Sequence, residues 1–438
     1  MKSKMQMWNV ISLLGVMLFY LSGIACAEEG ILIPGGAGGA TVSLPEKKEA
    51  VDYFASDTAS LPFSRRFIHR LSVEARPGYI FTTNSFLRGE NMYRKPIKHT
   101  FSSHLNYSFQ FRPNTCADRI YGGAYQGAGL AYYTFGDRKE IGNPVAFYLL
   151  QGARITRFTS YLSLNYEWNF GFSVGWKPYD YGKNNYNKVI GSSTNAYINT
   201  NFYLNWRLFR HLDLMTGVTL SHFSNGNTRI PNAGLNTVDL KIGLVYNINR
   251  KEDLLGKSLF KPFVPKFPRH ISYDLVLFGS WRRKGVIFGD KQVASPEAYT
   301  VFGFNFNPMY NIGYKFRIGL SLDGVYDGSA NVFTEDYIVG TTQEFYKPPL
   351  HQQLALGISG RAEYVMPYFT IGIGVGGNVL HGKGDLKAFY QILALKIAVT
   401  RSSFVHVGYS IHDFSTPNFL MLGVGYRFNN KYPKVIQR

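Results

Sequence analysis

Residues 162–174 read LSLNYEWNFGFSV. The even positions carry Leu162, Leu164, Tyr166, Trp168, Phe170, Phe172 and Val174, and the odd positions carry Ser163, Asn165, Glu167, Asn169, Gly171 and Ser173. Successive residues of a β-strand point to opposite faces, so this stretch is a strand with one greasy side and one wet side. Residues 194–208, TNAYINTNFYLNWRL, repeat the pattern: Ala196, Ile198, Phe202, Leu204, Trp206 and Leu208 alternate with Asn195, Asn199, Asn201, Asn205 and Arg207. A soluble sandwich has the same period. The membrane reading comes from what surrounds it. The strand-like segments are long enough to cross a bilayer at a tilt, 16% of the chain is aromatic, there are 45 glycines, and mean hydropathy is only −0.12. After residue 27 there is no apolar run long enough for a membrane helix. The fold class is therefore all-β: a transmembrane antiparallel β-barrel, in which alternate residues face lipid and the rest face a polar interior.

Similar segments follow one another along the chain. They begin near Phe67, Thr100, Gln126, Pro144, Ser160, Asn195, Leu212 and Leu235, and again near Ile271, Ala298, Lys315, His351, Tyr368, Lys387, Phe404 and Phe419. That makes about sixteen strands in two halves, and the halves are alike. RPGYIF (76–81) resembles RKGVIF (283–288), FGFSVGWKPYDYGKNN from Phe170 resembles FTIGIGVGGNVLHGKG from Phe369, and GLVYNI (243–248) resembles GVGYRF (423–428). Between the halves, residues 250–269 are rich in Pro and Lys and too long for an ordinary periplasmic turn. Two tandem eight-stranded barrels, slightly favoured, and one sixteen-stranded barrel both fit. The expected division is a first barrel half over 67–249, a linker over 250–269, a second half over 270–428 and a tail over 429–438.

The N-terminus reads as an export signal. Lys2 and Lys4 precede a mostly apolar run from Val10 to Ile24, and Ala25-Cys26-Ala27 offers a cleavage site before Glu28. Gly23 stands where a lipoprotein signal usually has Leu, which favours ordinary cleavage over lipidation at Cys26. Residues 28–66 read as a flexible extension. The formal charge is +19, and removing residues 1–27 takes away only two lysines, so the mature chain suits an anionic partner. Export points to phosphorylated glycolipid and not to nucleic acid. Cys116 would be the one remaining cysteine, so no intrachain disulfide is expected. The ten histidines are scattered, and neither a metal nor a cofactor is expected.

The chemistry-bearing stretch is SHFSNGNTRIPNAGLN, residues 221–236. His222 and Ser224 share a strand face. The even positions Leu212, Leu214, Val218 and Leu220 mark that face as the lipid side, and Asn236 falls on the lipid side of the next strand. Polar residues there are costly unless something uses them. A serine needs a base to take its proton, and a histidine needs a third group to fix its tautomer. Asn236 can orient His222, while Asn225, Asn232 and the Gly226 amide can donate to an oxyanion.

His222, Ser224, Asn225, Pro231, Asn232 and Gly234 resemble the motif of the PagL family of lipid A deacylases, also called acyloxyacyl hydrolase-like. The resemblance covers roughly residues 67–249. It implies an eight-stranded outer-membrane barrel that removes an ester-linked acyl chain from lipid A without a metal. It further implies His222 as base, Ser224 as nucleophile, and Asn232 and the Gly226 amide near the oxyanion. Asn236 departs from the family pattern, which has Glu there; a neutral amide orients the ring but stabilises an imidazolium less. In the second half, His412-Asp413-Phe414-Ser415 echoes the motif, but His412 falls on the inward parity, three residues from Ser415.

The expected function is an outer-membrane serine esterase acting on lipopolysaccharide. The runner-up is a non-enzymatic barrel, such as a pore, an adhesin or a structural protein. The expected partners are lipid A, outer-membrane lipids and, through the terminal strand LMLGVGYRF (420–428), the outer-membrane assembly machinery. The sequence is also compatible with a homodimer.

Overall fold

The computed structural model describes residues 67–113, 115–250, 263–288, 291–334, 344–414 and 416–433. The expected export signal, the extension over 28–66, most of the linker, Ser415 and the end of the tail lie outside the described residues.

The chain forms two closed eight-stranded antiparallel barrels. The first runs through β1 (Phe67–Ile80), β2 (His99–Phe111), β3 (Tyr125–Thr134), β4 (Gly142–Arg157), β5 (Leu162–Trp176), β6 (Thr194–Arg207), β7 (Leu212–Ser224) and β8 (Leu235–Ile248). Pairing of β1 with β8 closes it. The second begins with β9 (His270–Arg282). A small hairpin of β10 (Gly285–Phe288) and β11 (Lys291–Ala294) follows. The barrel continues through β12 (Tyr299–Asn311), β13 (Phe316–Asp327), β14 (Leu354–Val365), β15 (Phe369–His381), β16 (Phe389–Ala398), β17 (Ser403–His412) and β18 (Thr416–Phe428), which pairs with β9. Closure is forced by the solvent: no backbone group may face hydrocarbon unpaired, and a closed sheet has no edge.

Every expected strand start falls within a few residues of an observed one. The hairpin β10–β11 and two short helices, α1 (Ser85–Arg88) and α2 (Cys116–Tyr121), were not anticipated. One proposed internal match is corrected. RPGYIF lies at the end of β1 with Arg76 inside the strand, whereas RKGVIF begins after β9 and runs into β10, so the two are not structurally equivalent. The other two matches do correspond: β5 with β15 are the fifth strands of their barrels, and β8 with β18 are the eighth.

Most connections alternate in length; 112–124, which carries α2, and 413–415 depart from the pattern. Turns at 158–161, 208–211, 312–315, 366–368 and 399–402 are short, while 81–98, 177–193, 225–234, 283–298 and 328–353 are long. Outer-membrane barrels keep short turns on the periplasmic side, so the 225–234 loop stands at the outer end.

Both interiors are filled. In the first barrel Arg76, Lys241, Glu74 and Glu167 form a buried four-charge cluster. Arg76 Nε donates to Glu74 at 2.9 Å, and Lys241 Nζ lies 3.1 Å from Glu74 and 3.2 Å from Glu167. Asn169 and Asn199 join it by hydrogen bonds. Glu167, Asn169 and Lys241, on the inward faces of their strands, all belong to this cluster. Asp213 pairs separately with Arg250 at 2.7 Å, and Asp239 accepts from Thr237 at 2.7 Å. Arg207, expected inside, is only half-buried, because it sits at the last residue of β6 beside the turn. The second barrel holds an equivalent cluster, in which Asp274 meets Lys396 at 2.7 Å and Arg427 at 2.8 Å, and Glu363 meets Lys396 at 2.6 Å and also Arg317.

The barrels touch near their inner ends. Trp168 on β5 meets Phe369 on β15 edge-to-face at 5.0 Å, and Tyr166 Oη donates to Met366 Sδ at 3.7 Å. Val264, Tyr314 and Tyr368 pack on a cluster that includes Phe67, Phe111, Ile120 and Tyr121.

Removing one member of a buried charge cluster leaves its partners desolvated and unpaired. Glu74→Ala should destabilise the first barrel by about 3–5 kcal/mol, read as a lower urea midpoint for the folded, fast-migrating form in detergent. An unchanged midpoint would mean that the cluster is hydrated.

Candidate active site

The site is built from the strand upward. On β7, Phe223 points inward and is fully buried, with ring centroids 5.0 Å from Tyr133, 5.0 Å from Trp176 and 5.2 Å from Tyr197. That aromatic anchor fixes the pleat, so His222 and Ser224 on either side of it must face outward. Leu235 on β8, also fully buried, lies opposite Phe223 and sets the register that brings Asn236 across from His222. Ser224 lies opposite Ala196 and His222 opposite Ile198, both on β6.

His222 Nδ1–H donates to Asn236 Oδ1 at 2.6 Å. A carbonyl oxygen only accepts, so this bond places the proton on Nδ1 and leaves Nε2 with a free lone pair. Ser224 stands on the same face, two residues on. Among the described residues no hydrogen bond joins its hydroxyl to the imidazole; His222 and Asn236 are joined, and Ser224 is adjacent. Contacts between a nucleophile and its base are often loose until substrate is bound.

The loop that follows is ordered by its own side chains. Asn232 Oδ1 accepts the Asn225 N–H at 3.1 Å, and Asn232 Nδ2 donates to Asn227 Oδ1 at 3.1 Å. The Thr228 hydroxyl donates to Asn225 O at 2.9 Å. Asn232 is thus engaged in shaping the loop. Asn225 Nδ2 is a buried donor without a partner among the described residues. Gly226 and Gly234 both have positive φ, +63° and +71°. At Gly234 space matters too, because a Cβ would lie 3.2 Å from His222 Cε1 and 3.8 Å from Ser224 Cβ.

Sequence reasoning missed the loop's supports. The Gly234 N–H donates to Val189 O at 3.4 Å, and Gly191 leaves room for the Pro231 carbonyl, which a Cβ would meet at 2.4 Å. The 177–193 loop that carries both is held by Asn184 and Asn187, whose amides each donate to Glu140 O at 2.9 Å. Burial, and Asp137 beside it, push the Glu140 carboxyl up. Nothing in the local sequence signals these tertiary contacts.

The second-half echo is different. His412 is buried, and its Nδ1–H donates to the Phe389 backbone carbonyl at 3.1 Å. Thr416 stands opposite it where the first barrel has Asn236. No group of His, Cys, Asp or Glu that could hold a metal occurs among the described residues.

Residues 77–245 match the family described as lipid A 3-O-deacylase (PagL), and residues 271–430 match the acyloxyacyl hydrolase C-terminal domain. The chain belongs to the PagL family of outer-membrane lipid A deacylases. Family and fold place it in the bacterial outer membrane. Similar solved structures include the outer-membrane enzyme PagL, at 16% identity over 39% of this chain and 97% of that one, with a TM-score of 0.26. Neisserial surface protein A is 7% identical over 41% of this chain and 97% of that one, with a TM-score of 0.27. The Acinetobacter baumannii outer membrane protein Omp33 is 10% identical over 83% and 99%, with a TM-score of 0.16. No curated protein matches the chain.

Gly234→Ala adds a methyl against the His222 ring and puts a side chain at a strained φ. We expect it to displace the imidazole and break the His222–Asn236 bond while the barrel still folds, seen as loss of a single Nδ1-protonated signal in ¹⁵N spectra of the labelled histidine. A retained signal would show that the ring position does not depend on Gly234.

Proposed function

We propose that this PagL-family barrel is a serine esterase that removes an ester-linked acyl chain from lipid A. The observation that carries the reading is the His222–Asn236 hydrogen bond on a lipid-facing surface, with Ser224 beside it. A structural or pore-forming barrel needs no oriented imidazole there. The charge clusters that fill both interiors also count against a pore.

In this mechanism Nε2 accepts the proton of Ser224 as Oγ attacks the ester carbonyl. The new imidazolium keeps its Nδ1–H bond to Asn236. The oxyanion is met by donors from the start of the 225–234 loop: the Gly226 N–H and the unpartnered Asn225 Nδ2, with Asn232 holding the loop's shape. The tetrahedral intermediate collapses with cleavage of the C–O bond to the sugar, whose departing oxygen takes the proton from His222. Water, deprotonated by His222, then attacks the acyl-enzyme, and the Ser224 oxygen leaves with that proton as the fatty acid is freed. Basic residues on the outer loops, among them Arg88, Arg94, Lys177, Lys188 and Arg229, suit the phosphates of the substrate. Within this reading residues 1–27 are a cleaved export signal, and β18 is what the assembly machinery receives.

The test is mass spectrometry of lipid A after incubation with purified protein. We expect loss of one ester-linked acyl chain, and that loss should disappear in Ser224→Ala and in His222→Ala, the double variant being no worse than either because the pair acts as a unit. Asn236→Glu should raise the rate, since a carboxylate stabilises the imidazolium that an amide only orients. Full activity in Ser224→Ala would overturn the assignment. Unaltered lipid A with wild-type protein, together with channel conductance in planar bilayers, would favour the non-enzymatic reading.

A further inference from the structure

One row of side chains runs across the outer face of the first barrel: Phe170 on β5, Ile198 on β6, His222 on β7 and Asn236 on β8. The second barrel touches this face at two places. Phe170 packs against the cluster of Met366, Phe369 and Leu395. Two residues beyond Ser224, a Cβ at Gly226 would stand 3.5 Å from Tyr409 Cε2 and 3.8 Å from Leu420 Cβ. Between these two contacts the barrels do not close. Ile198, flanked in its row by Phe170 and His222, stays 40% exposed. Leu393 is two residues from Leu395 along β16 and opposite Tyr409 on β17, so it adjoins both contacts, and it stays 43% exposed. Tyr409 in turn lies opposite Leu420 on β18. The result is an apolar seam with His222 and Ser224 at its edge.

We infer that the second barrel is the specificity wall of the site: Leu393, Tyr409 and Leu420, with Ile198 opposite, form a groove that takes the acyl chain of the ester held at Ser224. The occupant follows from continuity. A seam lined by Leu, Ile and a tyrosine ring accepts hydrocarbon, and a chain whose carbonyl sits at Ser224 begins at the Gly226 end, where Tyr409 and Leu420 meet the loop. The naming of the ester rests on the esterase reading; the groove itself is a feature of the seam. The second barrel then contributes to substrate choice with no catalytic group of its own.

The experiment uses the full-length Ser224→Ala protein in phosphatidylcholine vesicles containing a small fraction of an acylated glucosamine ester whose acyl chain ends in a diazirine. After irradiation the labelled peptides are mapped by mass spectrometry. We expect label concentrated on the stretches bearing Ile198, Leu393, Tyr409 and Leu420, and reduced about 10-fold in Leu393→Trp, which fills the groove. Leu393→Ala, which cannot overfill it, should keep the label and guards against misfolding of the Trp variant. On the active background, Leu393→Trp should lower kcat/KM for long-chain relative to short-chain esters by about 10-fold. Label spread evenly over both outer walls, as bulk lipid gives, would overturn the groove, as would chain-length preference unchanged by Leu393→Trp. Seam labelling in a protein whose wild type cleaves no ester would leave the groove standing and remove the esterase reading instead.

Discussion

A backbone N–H or C=O left unpaired in hydrocarbon costs several kcal/mol, and this constraint governs the whole molecule. It closes β1 onto β8 and β9 onto β18. Closure in turn fixes a strict inside and outside, so the period-two alternation of each strand becomes a sorting of side chains between a lipid face and a sealed interior. An eight-stranded barrel has an interior just wide enough for side chains to fill. The charges sent there must be paired, and they are: Arg76 and Lys241 against Glu74 and Glu167 in the first barrel, and three cations, Lys396, Arg317 and Arg427, sharing the carboxylates of Asp274 and Glu363 in the second.

The same sorting makes the candidate site unusual. His222, Ser224 and Asn236 lie on the side that should be apolar, and what holds them there is the inward anchoring of their neighbours. Phe223 is locked among Tyr133, Trp176 and Tyr197, and it cannot turn outward without losing those ring contacts and leaving a void in the buried cluster. The polar pair is thus positioned by its backbone neighbours, and its own partners need supply only orientation. A reactive group placed this way is reached sideways through the bilayer, which suits a substrate whose scissile bond lies at the junction of headgroup and chain.

Much of this was legible in the sequence because the governing signal is local. Alternation over a dozen residues is enough to place LSLNYEWNFGFSV and its relatives, and parity alone put His222 and Asn236 on one face. The choice between one barrel and two was only partly legible: the long linker over 250–269 leaned towards two, which the structure shows, but the choice depends on whether β8 returns to β1 or pairs onward, and both edges look alike in sequence. The role of Glu74 and Arg76 was not legible: read along the chain, Arg76 opens a hexapeptide that looks repeated and Glu74 stands two residues before it, and only closure brings them against Glu167 and Lys241. The false match of RPGYIF with RKGVIF has the same origin, because similar residues stood at different distances from the start of their strands. The supports of the site, Val189, Gly191 and the Tyr409–Leu420 wall, are tertiary contacts between segments far apart in the chain, and no local pattern carries them.

The two copies also differ in the connection between their seventh and eighth strands. In the first barrel the seventh and eighth strands are joined by the 225–234 loop, long enough to carry Asn225, Gly226, Asn232 and Gly234 around the outer end. In the second the corresponding connection is 413–415, which leaves no chain for such donors. His412 keeps a defined tautomer through the Phe389 carbonyl, yet it is buried, and Thr416 opposite it bears a hydroxyl where the first copy has an amide. Shortening one turn therefore removes the loop donors while leaving the sheet, its closure and its lipid-facing wall intact. On the proposed reading, a second barrel without this loop still offers its neighbour a rigid apolar surface beside the candidate site.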